Sequence, residues 1–335
     1  MTSRERVIRA IDFYGPDRIP VNFDSNRTPD DGKRYGEDFR WVFLDPNPSF
    51  PPRSAGAPAS LDEWGVLREA IGMTMGEAKG FPLAEVLDIS AFKVPNFRAP
   101  ERYASIEVAR REGGDLYMLG MYPSFLFLHM LDLFGFETLM IRLGEENPIV
   151  EAVAERLTEE WIAVTELLAD RGVDGVIAIE DLGLQDRLII SPTMWRRVYK
   201  ERYCRIVDAV HRRGMHFFIH SCGHILDLIE DFIEIGVDVL QIDQQENMGV
   251  DRLAERYAGR ICFFCPVDIQ TVLPSGPVGR VEEYARKLAW AFGSPSGGFL
   301  AKTYPQPEAI GIPESHTAAM CAAFRQADYG KPSRG

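Results

Sequence analysis

From about residue 115 to the C-terminus, short β-branched or aromatic runs alternate with long helical patterns, and no other feature of the chain restricts its fold so tightly. Adjacent parallel strands cannot be joined by a tight turn and need a crossover, usually a helix, so this alternation is the signature of βα units. Strands are predicted at 116–121, 175–180, 215–221, 237–243, 261–265 and 298–303, and the apolar run 19–23 adds a seventh. An eighth is expected near Trp64 to Arg68 or in the irregular stretch after it. Eight strands with intervening helices close into a (β/α)8 TIM barrel.

Helix punctuation supports this reading. Asn147-Pro148 supplies an N-cap and a first-turn proline for a helix ended by Gly172, and Ser191-Pro192 does the same for one ending before Gly214. Further helices fit 224–235, 250–257, 281–292 and 313–327. Residues 24–100 differ: six prolines between Pro29 and Pro58 punctuate a stretch with little periodicity, too long for a simple connection. Because Trp41, Phe43, Phe50 and Trp64 lie in it, it is expected to be an ordered lid-like insertion near the N-terminus of a single domain spanning 1–335.

Charge and composition narrow the partners. The formal net charge is −13 and no block of lysines or arginines could neutralise a row of phosphates, which argues against nucleic acid. No run of 18 or more apolar residues occurs and the charged start is no secretion signal, so the expectation is a cytoplasmic protein outside the membrane acting on a small-molecule substrate. Five cysteines, an odd number, suit reduced thiols used for packing or metal better than a disulfide framework.

In a βα barrel, chemistry sits at the C-terminal ends of the strands. Those ends carry Asp24 and Arg27, then Tyr122, Glu180 and Asp181, His220 and Cys222, Asp243 to Glu246 including Gln244, Cys265 and Asp268, and Lys302 with Tyr304. His220 and Cys222 are two residues apart at the end of an apolar run, so in a strand they would aim one nitrogen and one sulfur at a common point, half of a zinc site. A packed thiol beside a hydrogen-bonded histidine would leave the same two letters in the sequence. Glu180 or Asp181 could add an oxygen ligand. Asp268 either orients a ligand or caps a turn, Tyr122 either lines a pocket or sits in a plain loop, and His129 and His316 read as packed or capping residues.

The chain resembles the uroporphyrinogen decarboxylase superfamily. The resemblance rests on Arg4-Glu5-Arg6-Val7, Pro16-Asp17-Arg18-Ile19-Pro20-Val21, Asp62-Glu63-Trp64-Gly65-Val66 and Glu180-Asp181-Leu182-Gly183-Leu184-Gln185. It continues through Ile190-Ser191-Pro192, His220-Ser221-Cys222-Gly223, Gly236-Val237-Asp238 and Asp268-Ile269-Gln270, in order along nearly the whole chain. It implies a distorted (β/α)8 barrel.

Within that superfamily, decarboxylases carry an arginine-rich segment after the first strand. This chain has the single Arg27 there, so the resemblance is nearer to the zinc-dependent corrinoid methyltransferase branch. That branch implies a His-x-Cys pair plus a later cysteine as Zn2+ ligands, matching His220 and Cys222. The last strand, where the branch keeps its third thiol, reads Lys302-Thr303-Tyr304-Pro305, so Cys265 is the expected substitute. Glu180, Asp181, Asp268 and Tyr122 are the expected catalytic positions, and Arg27, Gln244, Lys302 and Tyr304 the expected substrate-binding ones. The corrinoid would arrive on a partner protein, because His211, His216 and His224 lie outside a D-x-H-x-x-G context. A tetrapyrrole decarboxylase and a non-catalytic ligand-binding or corrinoid-protein-binding homologue remain alternatives.

Overall fold

The computed structural model describes residues 1–23, 36–50, 59–69 and 77–329. Eight parallel strands form a nearly closed barrel surrounded by helices: β1 Val21–Asn22, β2 Phe39–Phe43, β3 Tyr117–Met121, β4 Gly175–Ile179, β5 His216–His220, β6 Val239–Gln241, β7 Cys262–Cys265 and β8 Phe299–Lys302. Their spatial order is β1-β8-β7-β6-β5-β4-β3-β2. Seven strands fall where the alternation predicts them. The exception is β2: the run Phe-Arg-Trp-Val-Phe at 39–43 pairs with β3, whereas Leu67–Glu69 is the middle strand of a separate antiparallel sheet with Ser60–Leu61 and Glu77–Gly80.

Between β1 and β2 a side chain bridges the two strands. Asp38 donates its N–H to the Val21 carbonyl at 2.9 Å, and its carboxylate accepts from the Val21 N–H at 2.9 Å. The same carboxylate, fully buried, accepts from Arg18 at 2.6 and 2.8 Å, Arg6 at 2.8 Å and Ser3 at 2.7 Å.

Alternation of side chains divides the strand residues into two clusters. Inside the barrel lie Phe39, Leu119, Ile177, Phe218, Cys262, Phe264 and Leu300 together with Val7, Ala10 and Ile11 of helix Ser3–Ile11. That helix bonds to the backbone ahead of β3 and β8, through Arg4 N–H to Asp115 O and Gly298 N–H to Ala10 O, so it closes the N-terminal end. The other strand faces, with Ile219, Phe263 and Cys265 among them, pack outward on the helix layer. Only the C-terminal end is left to be a mouth.

The expected helix caps are in place: Asn147 Oδ1 accepts from Ile149 N–H at the start of Pro148–Asp170, and Ser191 Oγ from Met194 N–H. The helix after Ser191 runs to Arg212 through a π-helical turn at Arg196–Lys200. The described parts of the 24–100 stretch are fastened to the helices that follow β3. Arg68 pairs with Asp132 at 2.5 Å, the Trp64 ring centroid lies 4.1 Å from that of His129, and Arg142 donates to the Ala84 carbonyl at 2.9 Å. The described parts of this stretch therefore contribute a barrel strand and a side-packed sheet. Among the described residues no helix is long and apolar enough to cross a membrane.

Candidate metal centre

His220 ends β5 on its inward face, two residues after the interior Phe218. Its Nε2 lies 3.4 Å from Cys222 Sγ and 3.4 Å from Asp181 Oδ1. Among the described residues these three form the one group of histidine, cysteine and carboxylate side chains whose donor atoms lie close enough for a shared ion, all within 4.8 Å. The spacing can be tested against tetrahedral geometry. Zinc bonds of about 2.0–2.3 Å to nitrogen, oxygen and sulfur put neighbouring donors roughly 3.4–3.6 Å apart, and both measured separations to Nε2 fit.

Convergence on one nitrogen also argues against a metal-free nucleophile. In a Cys-His-Asp relay the thiol and the carboxylate bond to opposite ring nitrogens; here both face Nε2, and His220 Nδ1 is buried with no partner among the described residues. The field at Nε2 favours positive charge. Burial opposes protonation of His220, yet hydrogen bonds to Asp181 and Cys222 and the nearby Asp243 outweigh it, pushing the imidazole up to about 10. Burial likewise opposes the Asp181 charge, and its bonds with His220 and Cys222 still hold it below the usual carboxylate range. Burial pushes the Cys222 thiol up, more than His220 pulls it down. Two potential anions and one imidazole aimed at a point form a donor set for a soft or borderline dication.

The loops that carry these donors are laced together. Cys222 N–H donates to Asp181 Oδ1 at 3.0 Å, Gly183 N–H to the Cys222 carbonyl at 3.2 Å, Leu182 N–H to Ser221 Oγ at 3.0 Å and His224 N–H to the Leu184 carbonyl at 2.7 Å. Gly223 has φ +77°, and a Cβ there would lie 2.3 Å from Gly183 O; a Cβ on Gly183 would lie 2.5 Å from His224 N. The two glycines let the backbones after β4 and β5 touch. Gln244 joins the third loop, its Oε1 accepting from Gly223 N–H at 2.5 Å, so it braces the cysteine loop.

Other expected site residues are placed elsewhere. Cys265 is fully buried and belongs to the cluster outside the barrel, so the structure does not bring it to His220 and Cys222. The reason is parity: Cys262 and Phe264 point into the barrel, and the next residue must point out. Burial raises its thiol to about 12, as for a packed core thiol. Cys265→Ala is therefore expected to leave metal content unchanged and to cost only about 1–2 kcal/mol of stability, checked by metal analysis beside denaturant unfolding.

Glu180 faces away from the trio. Its carboxylate accepts from Phe127 N–H at 2.8 Å, Leu128 N–H at 2.7 Å and Tyr203 OH at 2.5 Å, anchoring the start of helix Phe127–Phe134. Tyr122 is buried against that layer, within 2.5 Å of Thr165 Oγ1. Asp268 is a loop cap, accepting from Gln270 N–H, Thr271 N–H and Thr271 Oγ1 at 3.1, 2.7 and 2.9 Å and from Glu246 N–H at 3.2 Å. Tyr304 packs against the outer core, and Arg27 and Asp24 lie outside the described residues. Lys302 is at the mouth, inward-facing and buried, 3.1 Å from Asp243 Oδ1.

Comparison with known proteins gives one family. The uroporphyrinogen decarboxylase (URO-D) family model matches residues 66–292, more than half of the chain. No curated protein sequence matches. Among solved structures, a methyltransferase from Methanosarcina mazei superposes with a TM-score of 0.69 at 18% identity, covering 97% of this chain and 98% of that one. A chitinase from Chromobacterium violaceum gives a TM-score of 0.45 at 10% identity, covering 92% and 99% of the two chains. A sugar phosphate isomerase/epimerase from Parabacteroides distasonis gives 0.44 at 10% identity, covering 94% and 98%.

Proposed function

We propose that this chain, which belongs to the uroporphyrinogen decarboxylase family, is an enzyme of that family's methyltransferase kind, moving a methyl group between a corrinoid carried by a partner protein and a thiol or small methylated substrate. The observation that carries this reading is the convergence of Asp181, His220 and Cys222 on one point at the barrel mouth. The full-length likeness to a methyltransferase barrel supports it.

These three side chains would hold Zn2+. Zinc, when bound there, supplies a lowered thiol pKa and so a thiolate near neutral pH. The chain's own residues do the rest. Asp181, His220 and Cys222 would supply at most two negative charges to a dication, and as three donors they are one short of the four that close a structural zinc site, so a substrate thiol could complete the set. Gly183, Gly223 and Gln244 hold the two donor loops in register. The closed bottom and apolar interior leave the mouth as the approach for a corrinoid domain.

In the forward sense the substrate thiolate's electron pair forms an S–CH3 bond, the cobalt–carbon bond breaks, and that bond's pair stays on cobalt, which goes from Co(III) to Co(I). Demethylation of a methylated substrate runs the same bookkeeping in reverse. No proton is transferred once the thiolate has formed.

Metal analysis of protein purified without chelators tests the centre. The expected result is about one zinc per chain, with Asp181→Asn and Cys222→Ala each lowering affinity by about tenfold or more; wild-type protein without zinc would sink the proposal. Incubation with methylcobalamin and a thiol should yield cob(I)alamin and the methyl thioether. Release of carbon dioxide from uroporphyrinogen, with no methyl transfer, would instead place the chain with the decarboxylases.

A further inference from the structure

A second polar cluster faces the metal centre across the mouth. Lys302, at the end of β8, is 4% exposed, and among the described inward-facing strand residues it is the one lysine or arginine. Its ammonium has a single partner among the described residues, Asp243, at 3.1 Å to Oδ1 and 3.4 Å to Oδ2. Charge-assisted bonds of this type are usually about 2.7–2.9 Å. Asp243 Oδ1 meanwhile accepts from Gln241 Nε2 at 2.6 Å, and Gln241 is the register partner of His220. The Lys302 side of the mouth thus joins the metal side through one neighbouring pair of residues.

The cluster is under-satisfied. Three N–H bonds of Lys302 meet a single carboxylate, at 3.1 and 3.4 Å. Asn22, paired with Lys302 in the β1–β8 register, is 4% exposed, and its Oδ1 is buried with no partner among the described residues. Buried polar groups in native proteins nearly always find partners, and unpaired ones gathered at a mouth mark where a ligand's atoms belong.

We propose that Lys302 reads a carboxylate on the substrate. The carboxylate takes the N–H directions that Asp243 leaves open, while the reacting sulfur lies on the Asp181–His220–Cys222 side. Asn22 contributes Nδ2–H, since a half-turn of its amide breaks no bond of Oδ1. Asp243, itself held by Gln241, keeps the ammonium in place until the carboxylate arrives. This deepens the reading above and rests on it: the substrate class becomes a short thiol or thioether acid.

The experiment uses protein loaded with Co(II), whose sulfur-to-cobalt absorption reports thiol binding, titrated with 3-mercaptopropionate and with the neutral 3-mercapto-1-propanol. Wild type should bind the acid about tenfold or more tightly than the alcohol, the scale of one hydrogen bond to a charged group. Lys302→Gln, which keeps a hydrogen bond to Asp243, should erase the preference. Asp243→Asn should enlarge it, because the competing anion is gone; a merely structural pair would give no such gain, and this variant decides the matter if Lys302→Gln does not fold. Equal binding of the two thiols by wild type overturns the inference, as does a preference that survives in Lys302→Gln. If neither thiol alters the spectrum, the metal–thiol reading itself fails and takes this inference with it.

Discussion

Gly223→Ala is expected to abolish metal binding and to cost about 3 kcal/mol of stability or more. Gly223 sits in the left-handed region at φ +77°, where a side chain costs roughly 1–2 kcal/mol. The added methyl would also lie 2.3 Å from Gly183 O and 2.4 Å from Gly183 C, backbone atoms that no rotamer change can move aside. Relief requires the loops after β4 and β5 to separate, at roughly a further 1–3 kcal/mol. Separation breaks the Gly183–Cys222 and His224–Leu184 backbone bonds and carries Cys222 away from Asp181. Site geometry is lost before the barrel is, because the strands do not depend on this contact. Gly214→Ala is the control: Gly214 has φ +68° but nothing within 4 Å of a Cβ, so it should show the backbone cost alone and full metal content. Titration with zinc, read beside denaturant unfolding, separates the two losses; a Gly223→Ala protein that binds zinc like wild type would show the contact to be dispensable.

The same residues show what a sequence can disclose and what it cannot. His220 and Cys222 were legible because both the donor spacing and the strand period are local, two residues each. Asp181 was legible only as one of two adjacent carboxylates, since which of Glu180 and Asp181 turns toward the thiol depends on where helix Phe127–Phe134 starts, and that helix claims Glu180. Cys265 was misplaced because the level of a strand residue and the face it presents are separate facts. Phe39–Phe43 carried the aromatic and β-branched signal of a strand, but its proline-rich surroundings masked it, and Trp64 to Arg68 offered a similar run that pairs elsewhere. The Lys302–Asp243 pair and the Gly183–Gly223 contact join residues far apart in sequence, with no local periodicity to announce them.

Asp38→Asn should be the most damaging polar substitution outside the site, lowering stability by about 3 kcal/mol near neutral pH, the scale of removing one partner from a buried ion pair. Its carboxylate is fully buried and serves Arg6, Arg18, Ser3 and the Val21 N–H together, while its backbone N–H meets the Val21 carbonyl. Asparagine can keep the backbone bond and some donors, but it leaves two guanidinium groups facing an uncharged amide. The pH dependence follows from the direction of the shift. Burial works against the Asp38 charge, yet bonds from Arg18, the Val21 N–H and Ser3 hold its carboxyl below the usual range. A folded-state value below the unfolded value of about 3.9 means that the ionised group stabilises fully above that pH, and that this contribution is lost as pH falls through the folded value. The stability gap between wild type and Asp38→Asn should therefore be widest at neutral pH and narrow below about pH 4, as urea unfolding at pH 7 and at pH 3 would show. A gap that stays constant or widens on acidification would mean that the strain of the amide, not the lost charge, dominates. Because Asp38 fastens β1, whose Asn22 stands beside Lys302, the substitution should also weaken carboxylate-thiol binding more than zinc binding, which depends on β4 and β5 across the barrel.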